Sequence, residues 1–358
     1  MKKLKVGIIG TGGIANYFHL PSLTKNPEVE LVAACDIVEE KVLKAAEEYG
    51  IKTTYTDYKK LLDQEDIDAV VICTPNYLHS IIAVEALKKG KHVLTEKPDA
   101  VSVEEVIKMQ KAAEESGKIL MAIRNNRYRV DTQFLKEYIK EGNMGEIYAA
   151  KCGWIRRRGI PGKGGWFTTK AQSGGGPLID LGVHMIDVTM WMMGSPTPVS
   201  VVGSTFSKFN QSSTKSDSEH ANFGEAKEDG IFDVEDLAMG FIKFDNGACL
   251  AIEFSWATNI EAEDTYFELI GTKAGARKHW YDKNVRIFSE TNGTVIDSSP
   301  LLAPLNTGVT EHELNINHFV DCILHGAKPD FVPQQGVDII KILSAIYKSA
   351  ETGREVIL

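Results

Sequence analysis

The sequence predicts a doubly wound parallel α/β sheet at the amino-terminal end, followed by an α+β domain on an open, mostly antiparallel sheet. Three observations carry this. From residue 4 to about 121, short β-branched apolar runs alternate with helical periods, the pattern of a parallel sheet covered by helices on both faces. After residue 123 the alternation stops and strand-like runs follow one another. The 358 residues also exceed the usual range of one domain, so two cores are expected. The expected division is 1–123 and 124–358, with the last helix placed to pack back on the first domain.

The first strands are read at 4–10, 31–36, 53–55, 69–73, 92–95 and 119–122. Between them, 38–49, 80–89 and 103–116 carry apolar residues at spacings of three and four with charges opposite, which marks amphipathic crossover helices. Gly50, Gly90 and Gly117 each follow a helical run, where a left-handed terminating residue is wanted. In the second part a helix at 132–141 leads into strands at 147–154, 199–205, 237–244, 248–256 and 265–271, and an amphipathic helix at 333–352 ends the pattern. Residues 207–230 are polar and aperiodic. They read as a solvated surface loop, with a lid and a disordered insertion both open.

Composition bounds the function. The 43% hydrophobic and 25% charged shares are those of an ordinary globular chain. A net charge of -9 provides no basic field to gather phosphate backbones or anionic lipid, so neither nucleic acid nor membrane is an expected partner. No run approaches the ~20 apolar residues that span a bilayer. The basic start imitates the head of a signal peptide, but its apolar run ends at Gly10 without a cleavage site. Cys35, Cys73, Cys152, Cys249 and Cys322 form no CxxC pair and read as buried, reduced thiols of a cytoplasmic protein.

After the first strand stands Gly10-Thr11-Gly12-Gly13-Ile14-Ala15, a G-x-G-x-x-G/A turn with alanine third. Its context gives it weight: a strand precedes, a helix follows, and Asp36 closes the second strand at the required distance. Gly10 permits the tight turn, Gly12 leaves room for a pyrophosphate, and Ala15 lets helix and strand approach, while free N–H groups at the helix start face the phosphates. This is the Rossmann dinucleotide pattern. Asp36 suits the ribose hydroxyls and would repel a 2′-phosphate, and Ile37 offers no arginine for one, so NAD is favoured over NADP. The other reading of Asp36 is a helix cap.

Two further clusters stand at strand ends, where open parallel sheets bind ligands. One is Cys73-Thr74-Pro75-Asn76 with His79, and the other is Glu96-Lys97-Pro98. Thr74, Pro75, Asn76, His79, Glu96 and Lys97 are therefore expected to face the cofactor, with His79 read as structural rather than catalytic. A third cluster, from Gly174-Gly175-Gly176 through Asp180 and His184 to Asp187, begins with close-approach glycines and continues as a helix. On it those three polar residues, at i, i+4 and i+7, share a face. The three clusters, in this order and at these separations, resemble the Gfo/Idh/MocA oxidoreductases, a family named for glucose-fructose oxidoreductase and inositol dehydrogenase. The likeness runs nearly end to end, through 232–237 and the helices at 318–321 and 344–349. It implies that Lys97 touches substrate and nicotinamide, and that Asp180 and His184 complete the site.

The chemistry agrees. Oxidising an alcohol needs a base for the hydroxyl proton, and a histidine titrating near neutrality suits that task. His184 is the expected base, with Asp180 orienting it or a substrate hydroxyl and Lys97 steadying the developing alkoxide. Asp180 and His184 could also be a surface ion pair; a metal site lacks a third ligand at matching spacing. Arg124, Asn125, Arg127 and Tyr128, with Trp154, Arg157 and Trp166, combine aromatic faces and guanidinium donors suited to a hydroxylated or anionic ring. Within Arg156-Arg157-Arg158, a solvated basic loop and a reach to the cofactor stay open.

Three functions follow: a sugar or polyol dehydrogenase first, a glycoside hydrolase that retains NAD second, and a silent NAD-binding regulator third. The expected partners are a carbohydrate-like small molecule and further copies of the chain, as a homodimer or homotetramer through an uncovered sheet face.

Overall fold

A computed structural model describes residues 3–211, 215–219, 221, 223–302 and 308–358. Met1 and Lys2 of the basic start lie outside them, as do 212–214, 220 and 222 of the polar segment. The chain divides into two compact units, one of 1–125 with 308–340 and the other of 126–307 with 341–358.

In chain order the first unit contains β1 (Leu4–Ile9), α1 (Leu20–Lys25), β2 (Val29–Cys35), α2 (Glu39–Tyr49), β3 (Thr53–Tyr55), α3 (Tyr58–Leu62), β4 (Ala69–Ile72), α4 (His79–Lys88), β5 (His92–Thr95), α5 (Val103–Ser116) and β6 (Leu120–Ala122). The strands pair in parallel in the order β3-β2-β1-β4-β5-β6. The order therefore reverses between β1 and β4, and the crevice beyond their carboxyl ends is where such sheets take ligands. Local chemistry agrees with each element. Ser102 caps α5 by accepting from the Glu105 N–H, and Gly50 and Gly117 end α2 and α5 in the left-handed region. Among the described residues no helix is long and apolar enough to cross a membrane.

The second unit begins with α6 (Val130–Lys140), β7 (Ile147–Ile155), α7 (Lys170–Ser173), α8 (Val183–Met192), β8 (Pro198–Phe206), β9 (Leu237–Phe244), β10 (Cys249–Ser255), β11 (Asp264–Gly271), β12 (Ala274–His279), β13 (Arg286–Thr291) and β14 (Thr294–Ser298). After α9 (Glu311–Leu324), which counts with the first unit, come α10 (Pro333–Thr352), shared between the two, and β15 (Val356–Ile357). The sheet runs β14-β13-β12-β11-β7-β10-β9-β8-β15. Every ladder is antiparallel except β7 with β10. The apolar helix α8 lies on β7 and β11.

Four features depart from the sequence reading. Ile316, Phe319 and Val320 of α9 and the following Phe331 are buried in one cluster with Ile8, Val71 and Leu94 of the parallel sheet, which is why 308–340 counts with the first unit. β12 to β15 lie outside the sequence reading: β12 mixes charged and small residues, and β13 to β15 are short runs without sustained alternation. The described part of 207–230 is not wholly solvated: Asp217 is buried, pairs with Lys163 at 3.2 Å, and its carbonyl accepts from the Ile160 N–H. Cys249 is half-buried, while the other four cysteines are buried and all five are unpaired.

Candidate active site

On the first unit the glycine turn closes against β4. Gly10 has φ +93°, and a Cβ there would lie 2.5 Å from the Cys73 carbonyl oxygen, whereas a Cβ at Gly12 would meet nothing within 4 Å. The turn is tight at one glycine and open at the next, as a pyrophosphate requires. Gly13 begins the helix that passes through a π-helical turn, Ala15–His19, into α1, with Ala15 fully buried and Ile14 half-buried.

Asp36 lies beside this turn. Its Oδ2 accepts from the Thr11 N–H at 2.8 Å and hydroxyl at 3.1 Å, and its Oδ1 from the Val38 N–H at 2.9 Å. The N-cap residue of α2, Val38, makes no side-chain cap of its own, so the Asp36 carboxylate braces the glycine turn with one oxygen and the start of that helix with the other. Three donors leave lone pairs for ribose hydroxyls, since a carboxylate offers about four acceptor sites. Asn16, unremarked in the sequence, donates to the Thr11 and Gly12 carbonyls at 2.7 and 2.9 Å. The residues thus fit a dinucleotide.

The other strand ends come to the same edge. Thr74 and Pro75 are half-buried, and Asn76 is buried. His79 is 1% exposed, with Nδ1 2.7 Å from the Pro98 carbonyl and Nε2 2.8 Å from that of Thr74. It joins the two loops, in keeping with a structural role. Burial lowers its pKa, although both carbonyls favour the charged ring. Glu96 is buried against His19, Oε1 to Nε2 at 2.6 Å, and its Oε2 accepts from the Lys97 N–H at 3.2 Å. Burial opposes ionisation of this carboxyl, but His19, His312 and Lys97 outweigh it and hold the pKa well below the usual range. Lys97 itself is half-buried.

Arg124 is 3% exposed, pairs with Asp99, and lies over the Phe331 ring at 4.6 Å. The expected substrate role of Arg124 therefore gives way to a structural one within the first unit.

On the second unit a π-helical turn, Leu178–Gly182, precedes α8. The expected common face is accordingly interrupted. Asp187 is buried and takes Nε and Nη2 of Arg127 at 2.8 and 2.6 Å. This bidentate pair makes Arg127, 1% exposed, a core residue and corrects its expected contact with substrate. Asp180 instead accepts from the indole Nε1 of the fully buried Trp256 at 2.9 Å, and the His184 ring lies 6.1 Å from that of Trp154.

Arg156 covers the Trp154 ring at 5.1 Å. Burial lowers its pKa while Asp180 and Glu263 oppose that shift. Arg156, rather than the exposed Arg157, thus belongs with the Asp180 group; Arg157 is held through its N–H on Glu263 at 2.9 Å. Asn125 and Tyr128 occupy a half-buried 3-10 turn, and Trp166 stacks on Phe167 at 3.8 Å. Trp154, Arg156, Asp180, His184 and Trp256 are one constellation. Lys97 lies on the other unit.

Residues 4–123 match the family described as "Oxidoreductase family, NAD-binding Rossmann fold", and 136–358 match its C-terminal alpha/beta domain. The chain is a Gfo/Idh/MocA oxidoreductase. This oxidoreductase is 34% identical over 357 residues to the D-glucoside 3-dehydrogenase of Escherichia coli (strain K12), covering 99% of this chain and 97% of that one. It is 29% identical to the levoglucosan dehydrogenase of Pseudarthrobacter phenanthrenivorans over 76% of this chain and 73% of that one. Among solved structures, levoglucosan dehydrogenase in complex with NADH and levoglucosan shares the fold, with a TM-score of 0.85, 22% identity and coverage of 99% of both chains. GenD2 from gentamicin A biosynthesis, in complex with NAD, gives 0.80 at 26% identity, covering 100% of this chain and 97% of that one. The first unit is an NAD-binding Rossmann domain.

Proposed function

We propose that this oxidoreductase moves a hydride between NAD and a ring carbon of a pyranoside bearing a secondary hydroxyl. The constellation Trp154, Arg156, Asp180 and His184 carries the reading. It pairs an aromatic platform with a base, a carboxylate and a guanidinium, the chemistry that grips a ring of hydroxyls. Full-length similarity to a glucoside dehydrogenase supports the same substrate class. Bound NAD supplies the hydride acceptor. In the oxidative direction His184 takes the hydroxyl proton as the hydride leaves carbon, and the product is the ketone with one proton released. Asp180, held by the Trp256 indole, orients the substrate hydroxyl or the His184 ring. Lys97 holds a positive charge beside the forming alkoxide. Thr11, Gly12, Gly13, Thr74 and Asn76 line the dinucleotide, with Asp36 selecting NAD over NADP.

The test is NADH formation, followed at 340 nm, from methyl glucopyranosides, levoglucosan, free aldoses and inositols. A stoichiometric rise with a pyranoside is expected. Cofactor that copurifies and cleaves a glycoside without net NADH would instead favour the NAD-retaining hydrolase. The sheet's outer face exposes Val202, Met239 and Phe241, with Val202 opposite Phe241 and Ser204 opposite Met239. An uncovered apolar face of this kind supports a homodimer or homotetramer; a monomer by light scattering would overturn that. Five unpaired cysteines support a reducing, cytoplasmic setting.

A further inference from the structure

The backbone that carries Lys97 is irregular. After β5 the chain leaves the sheet, and 97–99 belong to no helix or strand. A buried loop without a ladder is held only if side chains satisfy and fix it. Three anchors do so here: Glu96 on His19, the Pro98 carbonyl on His79, and Asp99 on Arg124. Lys97 sits between them.

Two of these anchors lead to nucleotide loops. His19 is the last residue of the π-helical turn that follows the glycine turn, and its partner Glu96 also takes the Lys97 N–H. His79 spans from Pro98 to the Thr74 carbonyl at the end of β4. Each histidine is at most 1% exposed and has no part in the proton transfer proposed above. His312 of α9 backs the first, its ring stacked on Phe18 at 4.1 Å and edge-on to His19 at 6.3 Å.

We propose that His19 and His79 are positioning residues for Lys97, one acting through the Glu96 carboxylate and the other through the Pro98 carbonyl, so that the loops that take the dinucleotide also set the lysine. The inference rests on Lys97 being the reacting cation of the proposed function. The coupling is reciprocal: what orders the glycine turn orders Lys97, and what loosens the anchors weakens that link without removing the nucleotide site.

The experiment measures the rate at which acetic anhydride acetylates Lys97, read by mass spectrometry with and without saturating NADH, in wild type, His19→Leu and His19→Gln. NADH affinity is followed by fluorescence. In wild type NADH is expected to slow the acetylation at least fivefold. In His19→Leu the protection falls below twofold while NADH affinity stays within threefold. His19→Gln, whose amide reaches where Nε2 stood and still donates to Glu96, restores it. Full protection in a folded His19→Leu protein overturns the proposal. Should that variant not fold, His79→Gln decides, because one amide group cannot sit against the Pro98 and Thr74 carbonyls together as the two ring nitrogens do: protection at least halved supports the proposal and any smaller loss overturns it. With methyl β-D-glucopyranoside, His19→Leu should lower kcat more than tenfold and leave the sugar KM within threefold. Undiminished turnover in Lys97→Ala would sink the catalytic role of the lysine, whereas a dead Lys97→Ala beside an unaffected His19→Leu would sink only the positioning role.

Discussion

At the scale of single residues, Asp180 depends on a partner far from it in the chain, the indole of the fully buried Trp256 at 2.9 Å. Gly10, Gly12 and Asp36 were legible because a phosphate-binding turn needs particular residue types at fixed offsets. Trp256 was not, since nothing near it in the chain announces that its indole will meet a carboxylate 76 positions away. Hydrogen bonds to charged groups contribute about 1.5–3 kcal/mol, so Trp256→Phe should lower kcat about tenfold or more through a misoriented Asp180, with the fold kept; steady-state kinetics beside circular dichroism check this. Arginines misled the sequence reading for a related reason. A guanidinium near a predicted cleft reads as a ligand for substrate, yet Arg127 is matched by Asp187 in the core. Arg127→Ala strips both guanidinium bonds from that buried carboxylate, and a loss of about 3–5 kcal/mol is expected, measured by urea unfolding.

Among the elements, the parallel sheet was legible because its buried strands are short apolar runs, β-branched above all in β1 and β4, bounded by turns, and the crossover helices α2, α4 and α5 carry their own period and stop. The second sheet was read only where the alternation is strong. In β12, Ala-Gly-Ala-Arg-Lys-His offers no such contrast, and its place comes from pairing with β11 and β13. The face shared by Asp180 and Asp187 failed as an expectation because helical spacing was extended across a π-helical turn, where one extra residue per turn shifts the phase. The glycine run before that turn is where sequence and packing agree most closely. A Cβ at Gly176 would stand 2.1 Å from the Glu235 carbonyl oxygen, while Glu235 receives the N–H groups of Gly176 and Leu178 at 2.9 and 3.1 Å. Gly176→Ala is expected to displace the turn that holds Asp180, with kcat falling at least a hundredfold at near-normal NADH affinity.

Over the whole molecule, histidines wholly or partly withdrawn from water give stability a two-sided dependence on pH. For His312 and His92, burial is the leading cause and lowers the pKa from 6.5 to about 4. The unfolded chain then binds more protons between those values, so stability falls as pH drops from 6.5 toward 4. His19 goes the other way: burial would lower its pKa, but Cys73 and Glu96 carry it up to about 10. Its contribution is complete below 6.5 and is lost as pH rises through about 10. The melting temperature should therefore peak near pH 6.5, and His312→Asn should flatten the acid limb in a series of thermal scans.

The packing of α9 into the parallel sheet also bears on how the protein is made. A ribosome that has released residues 1–125 has produced every strand of the dinucleotide-binding unit, but the side chains that close its core, Ile316, Phe319 and Phe331, are still untranslated. Contacts between segments so distant in sequence form late and leave apolar surface open meanwhile. A fragment ending at residue 125 should accordingly lack a cooperative thermal transition and bind a hydrophobic dye. Adding a separate peptide of residues 308–340 should restore the transition. The nascent chain must therefore keep its nucleotide-binding strands from aggregating until residues 308–340 have emerged, a demand for chaperone protection that a contiguous domain would not make.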